Sequence, residues 1–274
     1  MICYHIAVAL SCYYGKKVLV VDGDYQRGGI TGRFVETLIE EFRTGQIQRP
    51  MLYDKFLELY SAQALTPDIK VVATEREIDL VPADPQLSMV TVEKMPTTNN
   101  IRENMRSLWR HLSALNVVLA PIRDRYDYIL VDPHPDINDL LRTILYACDY
   151  VCSPVKLDLQ STIGVPSAIE AINNVNSDVD LVANTIDEEI GYSPTRYVGA
   201  IATQAREWGG ILKWSERTEY RRISQSGPIF ETYVTEGDGL RQAARDRRPV
   251  FDISGQNAEK QSQQLRELTE EFIA

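Results

Sequence analysis

Two unbroken apolar runs, each ending in aspartate, constrain this chain more than any other feature. They are Lys17-Val-Leu-Val-Val-Asp22 and Tyr126-Asp-Tyr-Ile-Leu-Val-Asp132. A strand with one wet face alternates polar and apolar residues, whereas runs like these suit strands buried on both faces of a parallel sheet. Asp149-Tyr-Val-Cys-Ser-Pro154 predicts a third core strand and Val198-Gly-Ala-Ile-Ala-Thr203 a fourth. Ile69-Lys-Val-Val-Ala73 and Ile78-Asp-Leu-Val-Pro82 read as two shorter ones.

Between these strands the spacing of apolar residues is helical. Residues 2–14 place Ile2, Ile6, Ala9 and Leu10 on one face, and Gly15 follows as a stop. Further helices are predicted over 33–44, 51–63, 101–122 and 159–173, and near 211–224, 238–246 and 256–273. Gly28, Gly29 and Gly32 mark a loop. Residues 174–195 are polar and acidic, with Asp187-Glu-Glu189, and are predicted to form a surface segment. Strands alternating with helices imply an α/β fold with a mostly parallel sheet flanked by helices on both faces. There is no internal repeat and no low-complexity linker, so a single domain over 1–274 is the economical reading.

Composition excludes several classes. Hydrophobic residues make up 44% and charged residues 25%, the balance of an ordinary globular chain. No apolar run approaches the ~20 residues of a membrane-spanning helix, and the apolar start lacks the basic flank and cleavage site of a signal peptide. A net charge of −10 argues against nucleic acid wrapping the whole surface but leaves room for a local basic patch. Cys3, Cys12, Cys148 and Cys152 form no CxxC, and His5, His111 and His134 are scattered, so a zinc site is not indicated and buried free thiols are expected.

In open α/β sheets ligands bind at the carboxyl ends of the strands. Two strands end there in acids, as Asp22-Gly-Asp24 and Asp132-Pro-His-Pro135. A carboxylate on a rigid, dry strand end can face a magnesium ion or its water. Either acid alone is equally well read as the cap of the next turn; two on neighbouring strands favour a site.

These segments resemble the ParA/MinD superfamily of deviant Walker-motif P-loop NTPases, and ParA partition ATPases in particular. The family's N-L-A-x-A-L-A-x-x-G-K-K-V-L-L-V-D-x-D-P-Q-G-N-A-T is matched by His5-Ile-Ala-Val-Ala-Leu-Ser-Cys-Tyr-Tyr-Gly15 running on through Asp22-Gly-Asp24-Tyr-Gln26 to Thr31. Its Y-D-Y-I-L-I-D-C-P-P is matched by residues 126–135, its A-A-D-x-V-L-I-P-V by Ala147-Cys-Asp149-Tyr-Val-Cys-Ser-Pro154-Val155, and its D-L-I-P-A-x-x-x-L by residues 79–87. Phe230-Glu-Thr-Tyr-Val234 and Gly239-Leu-Arg241-Gln-Ala243, with Pro249-Val-Phe-Asp252, are similar to its last motifs. The pieces fall in the family's order.

The resemblance implies an ATP- and Mg2+-dependent switch: a homodimer that binds nonspecific DNA and answers to a ParB-like centromere-binding partner, in the cytoplasm on the nucleoid, without a membrane. It implies that Asp132 orients magnesium through water, that Asp24 is catalytic and positions the attacking water, and that Asp22 supports the switch segment. Thr203 and Gln204 fall where the family meets the adenine edge, and Arg241 where it meets the base or DNA. Lys213, Arg217, Arg221 and Arg222 are the candidate DNA contacts, with a plain solvated helix face as their alternative.

The family begins with K-G-G-V-G-K-T-T, whose backbone N–H groups cradle phosphates. No such run occurs in these 274 residues. By register it is expected, with the strand before it, ahead of Met1. Tyr25 stands for the family's proline, Arg27-Gly28-Gly29 for Gly-Asn-Ala, and Thr235 where proline is frequent. Whether the chain hydrolyses ATP therefore stays open, and a degenerate, non-hydrolysing scaffold is the alternative. A MinD-like membrane-cycling ATPase is the third reading; its basic terminal helix is not matched by Leu265-Arg-Glu-Leu-Thr-Glu-Glu-Phe-Ile-Ala274, where acids outnumber bases. Without the family's first strand, unpaired sheet edges are expected to make the chain prone to association.

Overall fold

The computed structural model describes residues 1–26 and 29–274, the Thr162 side chain excepted. In chain order the strands are β1 (Val18–Gly23), β2 (Val72–Ala73), β3 (Ile78–Val81), β4 (Tyr128–Pro133), β5 (Tyr150–Lys156), β6 (Arg196–Thr203), β7 (Glu207–Trp208) and β8 (Ile211–Leu212). The α-helices are α1 (Ile2–Tyr14), α2 (Ile30–Phe34), α3 (Glu36–Thr44), α4 (Leu52–Tyr60), α5 (Ile101–Leu112), α6 (Ala114–Arg123), α7 (Asp139–Ala147), α8 (Leu159–Ile186), α9 (Trp214–Ser226), α10 (Asp238–Arg245) and α11 (Gln256–Ile273). They group into two compact units. One comprises Gly15–Asp149 and Ala171–Thr195, the other Met1–Tyr14, Tyr150–Glu170 and Arg196–Ala274.

In the first unit the sheet runs β2-β3-β1-β4. β1 lies between two parallel partners and every one of its residues is buried, as its unbroken apolar run requires. Val18 pairs with Tyr128 and the register continues to Asp22 opposite Asp132. Leu19 and Val21 pack with Phe56 and Leu59 of α4, Leu115 and Leu119 of α6, and Leu140 and Ile144 of α7. Each such side chain contributes roughly 1.5–3 kcal/mol on burial. Gly23 is needed for this packing, because a Cβ there would lie 2.9 Å from Cδ1 of Ile144. β4 closes one side of the sheet, and Ile129, Leu130 and Val131 on it are only half-buried.

In the second unit β5 and β6 pair in parallel, with an irregularity between Val151 and Cys152. The segment after α9 runs beside β6: the Phe230 N–H donates to the Ala200 carbonyl and the Val234 N–H to that of Ala202, each at 2.9 Å. Gly199 permits the close approach, since a Cβ there would sit 3.1 Å from the Phe230 ring and φ is +153°. Val155, Val165, Ala200, Ala202 and Ile223 form the core. α1 packs on α11, where the Tyr14 hydroxyl donates to Glu270 at 3.0 Å.

The α/β architecture agrees with the sequence reading, and several boundaries differ. The 33–44 helix is two helices, because Val35 is extended at φ −140°. The 101–122 helix divides at Ser113 into α5 and α6. β2 is two residues long and antiparallel to β3. The largest correction concerns 174–195: α8 continues to Ile186, burying Val175, Val179, Val182 and Ile186 at helical spacing. The Asn, Ser and Asp residues of its wet face had masked that stripe. The predicted 211–224 helix starts at Trp214, and Ile211–Leu212 belongs to a hairpin instead.

Candidate functional site

Asp22 and Asp132 are paired in register at the carboxyl ends of adjacent parallel strands. Asp22 is fully buried. Its Oδ2 accepts from the Thr31 N–H at 2.8 Å and from the Thr31 hydroxyl at 2.6 Å, and its Oδ1 accepts from the Asp24 N–H at 3.1 Å. The Thr31 hydroxyl in turn accepts from the Ala83 N–H at 2.8 Å, tying the start of α2 to the end of β3. Burial nevertheless dominates and pushes the Asp22 carboxyl up to about 6, with the charge of Asp132 acting in the same direction. Asp132 is also held above the usual carboxylate range, first by burial and then by Asp24, while Arg33 offsets part of this.

Asp24 stands beyond the strand end, partly exposed. Its Oδ1 accepts from the Gln26 N–H at 2.9 Å and lies 3.9 Å from Nε2 of His134. His134 is buried and stacks on Tyr25, with ring centroids 4.1 Å apart and planes 15° apart. The Gln26 side-chain amide lies 3.0 Å from Nε2 of the ring. The Asp136 N–H donates to Nδ1 of the ring at 3.3 Å, Oδ2 of Asp136 lies 3.3 Å from the same nitrogen, and that carboxylate oxygen accepts from the Tyr25 hydroxyl at 3.0 Å. The loops after β1 and β4 are thus laced together by Tyr25, His134 and Asp136. Sequence reasoning passed over His134 and Asp136. The available signal was their position, two and four residues beyond a strand-end acid whose partner strand carries Tyr25 three residues beyond its own.

The remaining sequence candidates lie in the other unit. Thr203 ends β6, and its hydroxyl donates to the Val155 carbonyl at 3.0 Å. Gln204 follows in a left-handed conformation at φ +53° and is exposed. Arg241 pairs with Glu236 at 2.6 Å and Asp238 at 3.3 Å. Glu236 donates its N–H to the Ala205 carbonyl, which brings Arg241 to the turn after β6. Lys213, Arg217, Arg221 and Arg222 are all exposed at or along α9, and Arg222 is bound to Glu219 at 2.7 Å. Arg27 and Gly28 of the glycine-rich segment lie outside the described residues.

Two adjacent carboxylates whose charge burial leaves poorly compensated make a field suited to a cation. Among the described residues no three His, Cys, Asp or Glu side chains converge as direct ligands.

The α/β fold, with its parallel sheet flanked by helices, matches that of P-loop NTPase-like proteins. The model of the AAA_31 family, an AAA domain, matches residues 2–184, and the chain belongs to that family and, within it, to the ParA-type partition ATPases. It is 27% identical to the sporulation initiation inhibitor protein Soj of Bacillus subtilis over 245 residues, covering 89% of this chain and 81% of Soj. Its fold is similar to that of a substituted form of Cyanothece McdA in complex with ATP, with a TM-score of 0.66 at 14% identity over 99% of this chain and 90% of that one. It is also similar to a putative plasmid partition protein of Borrelia burgdorferi bound to AMPPNP, with a TM-score of 0.58 at 16% identity over 98% and 91%. No helix among the described residues is long and apolar enough to cross a membrane.

Proposed function

We propose that this chain acts as a ParA-like partition switch, in which ATP and magnesium favour a homodimer that holds nonspecific DNA until a ParB-like partner releases it. The observation that carries the reading is the Asp22–Asp132 pair, in register at adjacent strand ends, with Asp22 fully buried and both carboxyls held above the usual range by burial. Magnesium, when bound, would neutralise nucleotide phosphates. On this reading Asp132 holds its water, Asp24 positions the attacking water, and Asp22 braces the segment from Asp24 to Thr31. Relatives and neighbours lend support through what their names say of them: Soj is a sporulation initiation inhibitor, and the Borrelia protein carries AMPPNP. Gln204 and Arg241 would meet the base, with Thr203 fixing the strand end before them. Lys213, Arg217, Arg221 and Arg222 would meet DNA phosphates, which would place the protein on the nucleoid in the cytoplasm.

A second reading has its own support: Tyr25 stands for the proline of the family's switch segment, and Thr235 stands where the family frequently has proline. On that reading the chain is a scaffold that binds partners without turnover. Light scattering and DNA affinity, each measured with and without ATP and magnesium, separate the two. Nucleotide-dependent dimerisation and tighter DNA binding, both lost in Asp132→Asn, are expected of the switch. Mass and affinity indifferent to nucleotide would leave the scaffold standing.

A further inference from the structure

The part of the molecule that neither the acid site nor the family motifs absorb is a short hairpin with the start of the helix that follows it. β7 and β8 pair antiparallel, Glu207 with Leu212 and Trp208 with Ile211. Gly209 and Gly210 make the turn, both at positive φ (+60° and +79°), as a two-residue hairpin turn requires. Side chains alternate across a strand pair, so the hairpin has two faces. On one, the Tyr233 hydroxyl donates to Glu207 at 2.7 Å and Leu212 packs against the core of the unit. On the other, Trp208 and Ile211 face solvent, 85% and 61% exposed. Trp214 opens α9 and is 76% exposed. Single exposed apolar residues are ordinary, but two tryptophans and an isoleucine within seven residues are not.

Beside them runs a row of cations. Lys213, Arg217 and Arg221 are spaced by four residues and are all exposed. At 1.5 Å per residue they rise about 6 Å apart, near twice the ~3.4 Å axial spacing of phosphates along one DNA strand. On the helical wheel Arg217 and Arg221 share an arc of about 60° with Trp214, turned away from buried Glu216 and Ile223, and Lys213 caps the helix just before it. None of the three makes an ion pair among the described residues, whereas Arg206, Arg222 and Arg241 are each held by a carboxylate. In a chain of net charge −10 this is an uncompensated basic stripe with aromatic rings at its margin.

We infer that Trp208, Ile211 and Trp214 form an apolar wedge that contacts the bases of nucleic acid while Lys213, Arg217 and Arg221 hold its backbone. This rests on the DNA-binding reading above and extends it, because phosphate contact alone needs no aromatic rings. Apolar wedges flanked by cations are how architectural proteins enter a base step, and exposed rings are how single strands are stacked. The shared chemistry is a base face, and duplex and single-stranded probes distinguish its source. A lipid surface is the weaker occupant: three side chains on a hairpin offer far less apolar area than the long amphipathic helix of an interfacial anchor, and the terminal helix α11 is acidic at its end.

The test is fluorescence anisotropy with a short mixed-sequence duplex and its single strand, titrated with the full chain, ATP and magnesium over a salt series. Trp208→Ala and Ile211→Ser are expected to weaken binding about ten-fold with the salt slope unchanged, and Trp208→Phe to restore most of the loss. Arg217→Gln is expected to lower the slope by about 0.9 instead. Wild-type binding that is salt-dependent but indifferent to Trp208→Ala overturns the wedge and leaves the DNA-binding reading intact. No binding of either probe by the wild type overturns both. Loss of wild-type co-sedimentation with phosphatidylglycerol vesicles in Trp208→Ala, with DNA binding unchanged, assigns the patch to lipid and also overturns the wedge.

Discussion

The two units present candidate groups of opposite sign and hold them by opposite means. In one, Asp22 and Asp132 sit at the ends of a buried strand and its half-buried neighbour, their positions set by strand register and, for Asp22, by hydrogen bonds from Thr31 and Asp24. In the other, Lys213, Arg217 and Arg221 project from one face of α9 with no ion-pair partner among the described residues. The acids are costly to keep charged and cannot move without disturbing the fold. The cations cost the fold almost nothing and can be replaced freely. A buried, pre-positioned pair suits chemistry on a fixed ligand, and an exposed stripe suits a backbone of regular charge read without sequence preference. Substitutions should therefore act on stability in the first unit and on binding in the second.

The sharpest break in that contrast is Asp22→Ala. It leaves the Thr31 N–H, the Thr31 hydroxyl and the Asp24 N–H without their acceptor in a dry site. Orphaned buried donors cost about 1–3 kcal/mol each, partly offset here by removal of a desolvated charge. A net loss on the order of 4 kcal/mol is expected from urea unfolding at neutral pH, with the slope of the transition unchanged. A loss below about 1 kcal/mol would mean that the segment from Asp24 to Thr31 is held by something else.

The pH dependence of the first unit tests the same idea from a second direction, because two buried groups oppose one another. Burial pushes Asp22 up to about 6. The stability that shift represents is fully present below the unfolded carboxylate value near 3.8 and is lost as pH rises through 6. Burial pushes His111 down to about 4. Its contribution is present above the unfolded value of 6.5 and is lost as pH falls toward 4. Each spans about 3 kcal/mol between pH 4 and 6.5, so in the wild type the two slopes nearly cancel. Asp22→Asn should expose a stability that rises with pH over this window, and His111→Leu one that falls. Urea midpoints of the three proteins at pH 4.5, 5.5 and 6.5 check both signs; parallel curves would remove the assignment of either group.

Thr31→Val is a smaller cut into the same network. It keeps the size of the side chain and deletes one donor to Asp22 and the acceptor of the Ala83 N–H. About 2 kcal/mol is expected from thermal or urea unfolding. The same change should not add fully to Asp22→Ala, since both remove the Thr31 hydroxyl bond to Asp22.

Much of the first unit was legible in the sequence, because an apolar run ending in an acid encodes burial, direction and terminus at once. β1 and β4 follow from Val18–Asp22 and Tyr128–Asp132 almost residue by residue. The lacing of Tyr25, His134 and Asp136 was not legible, because it depends on which strands are neighbours, and a single histidine between prolines carries no periodic signal. The second half of α8 was missed because its buried stripe is sparse, one valine or isoleucine every three or four residues among Asn, Ser and Asp. The hairpin was missed because two-residue strands lie below any periodicity, and only Gly209-Gly210 marked it. The cations of α9 were found from composition, whereas their division into paired and unpaired required coordinates.

That division supplies the smallest effect. Arg206 lies beside Glu216, whose side chain is 3% exposed, at 2.6 Å, while Arg217 one residue further along α9 pairs with nothing among the described residues. Arg206→Gln leaves a buried carboxylate without its cation, but the guanidinium itself is 53% exposed and water shares its work, so a small but measurable drop in the urea midpoint is expected. Arg217→Gln should change the urea midpoint by less than the equivalent of about 0.5 kcal/mol. In DNA binding the order should invert: Arg217→Gln lowers the salt slope by about one phosphate, and Arg206→Gln, its charge already spent on Glu216, leaves it nearly as it was. If both variants moved stability equally and the slope equally, the distinction between a cation that builds the fold and a cation that faces a ligand would not hold on this helix, and the basic stripe would be no more than a solvated surface.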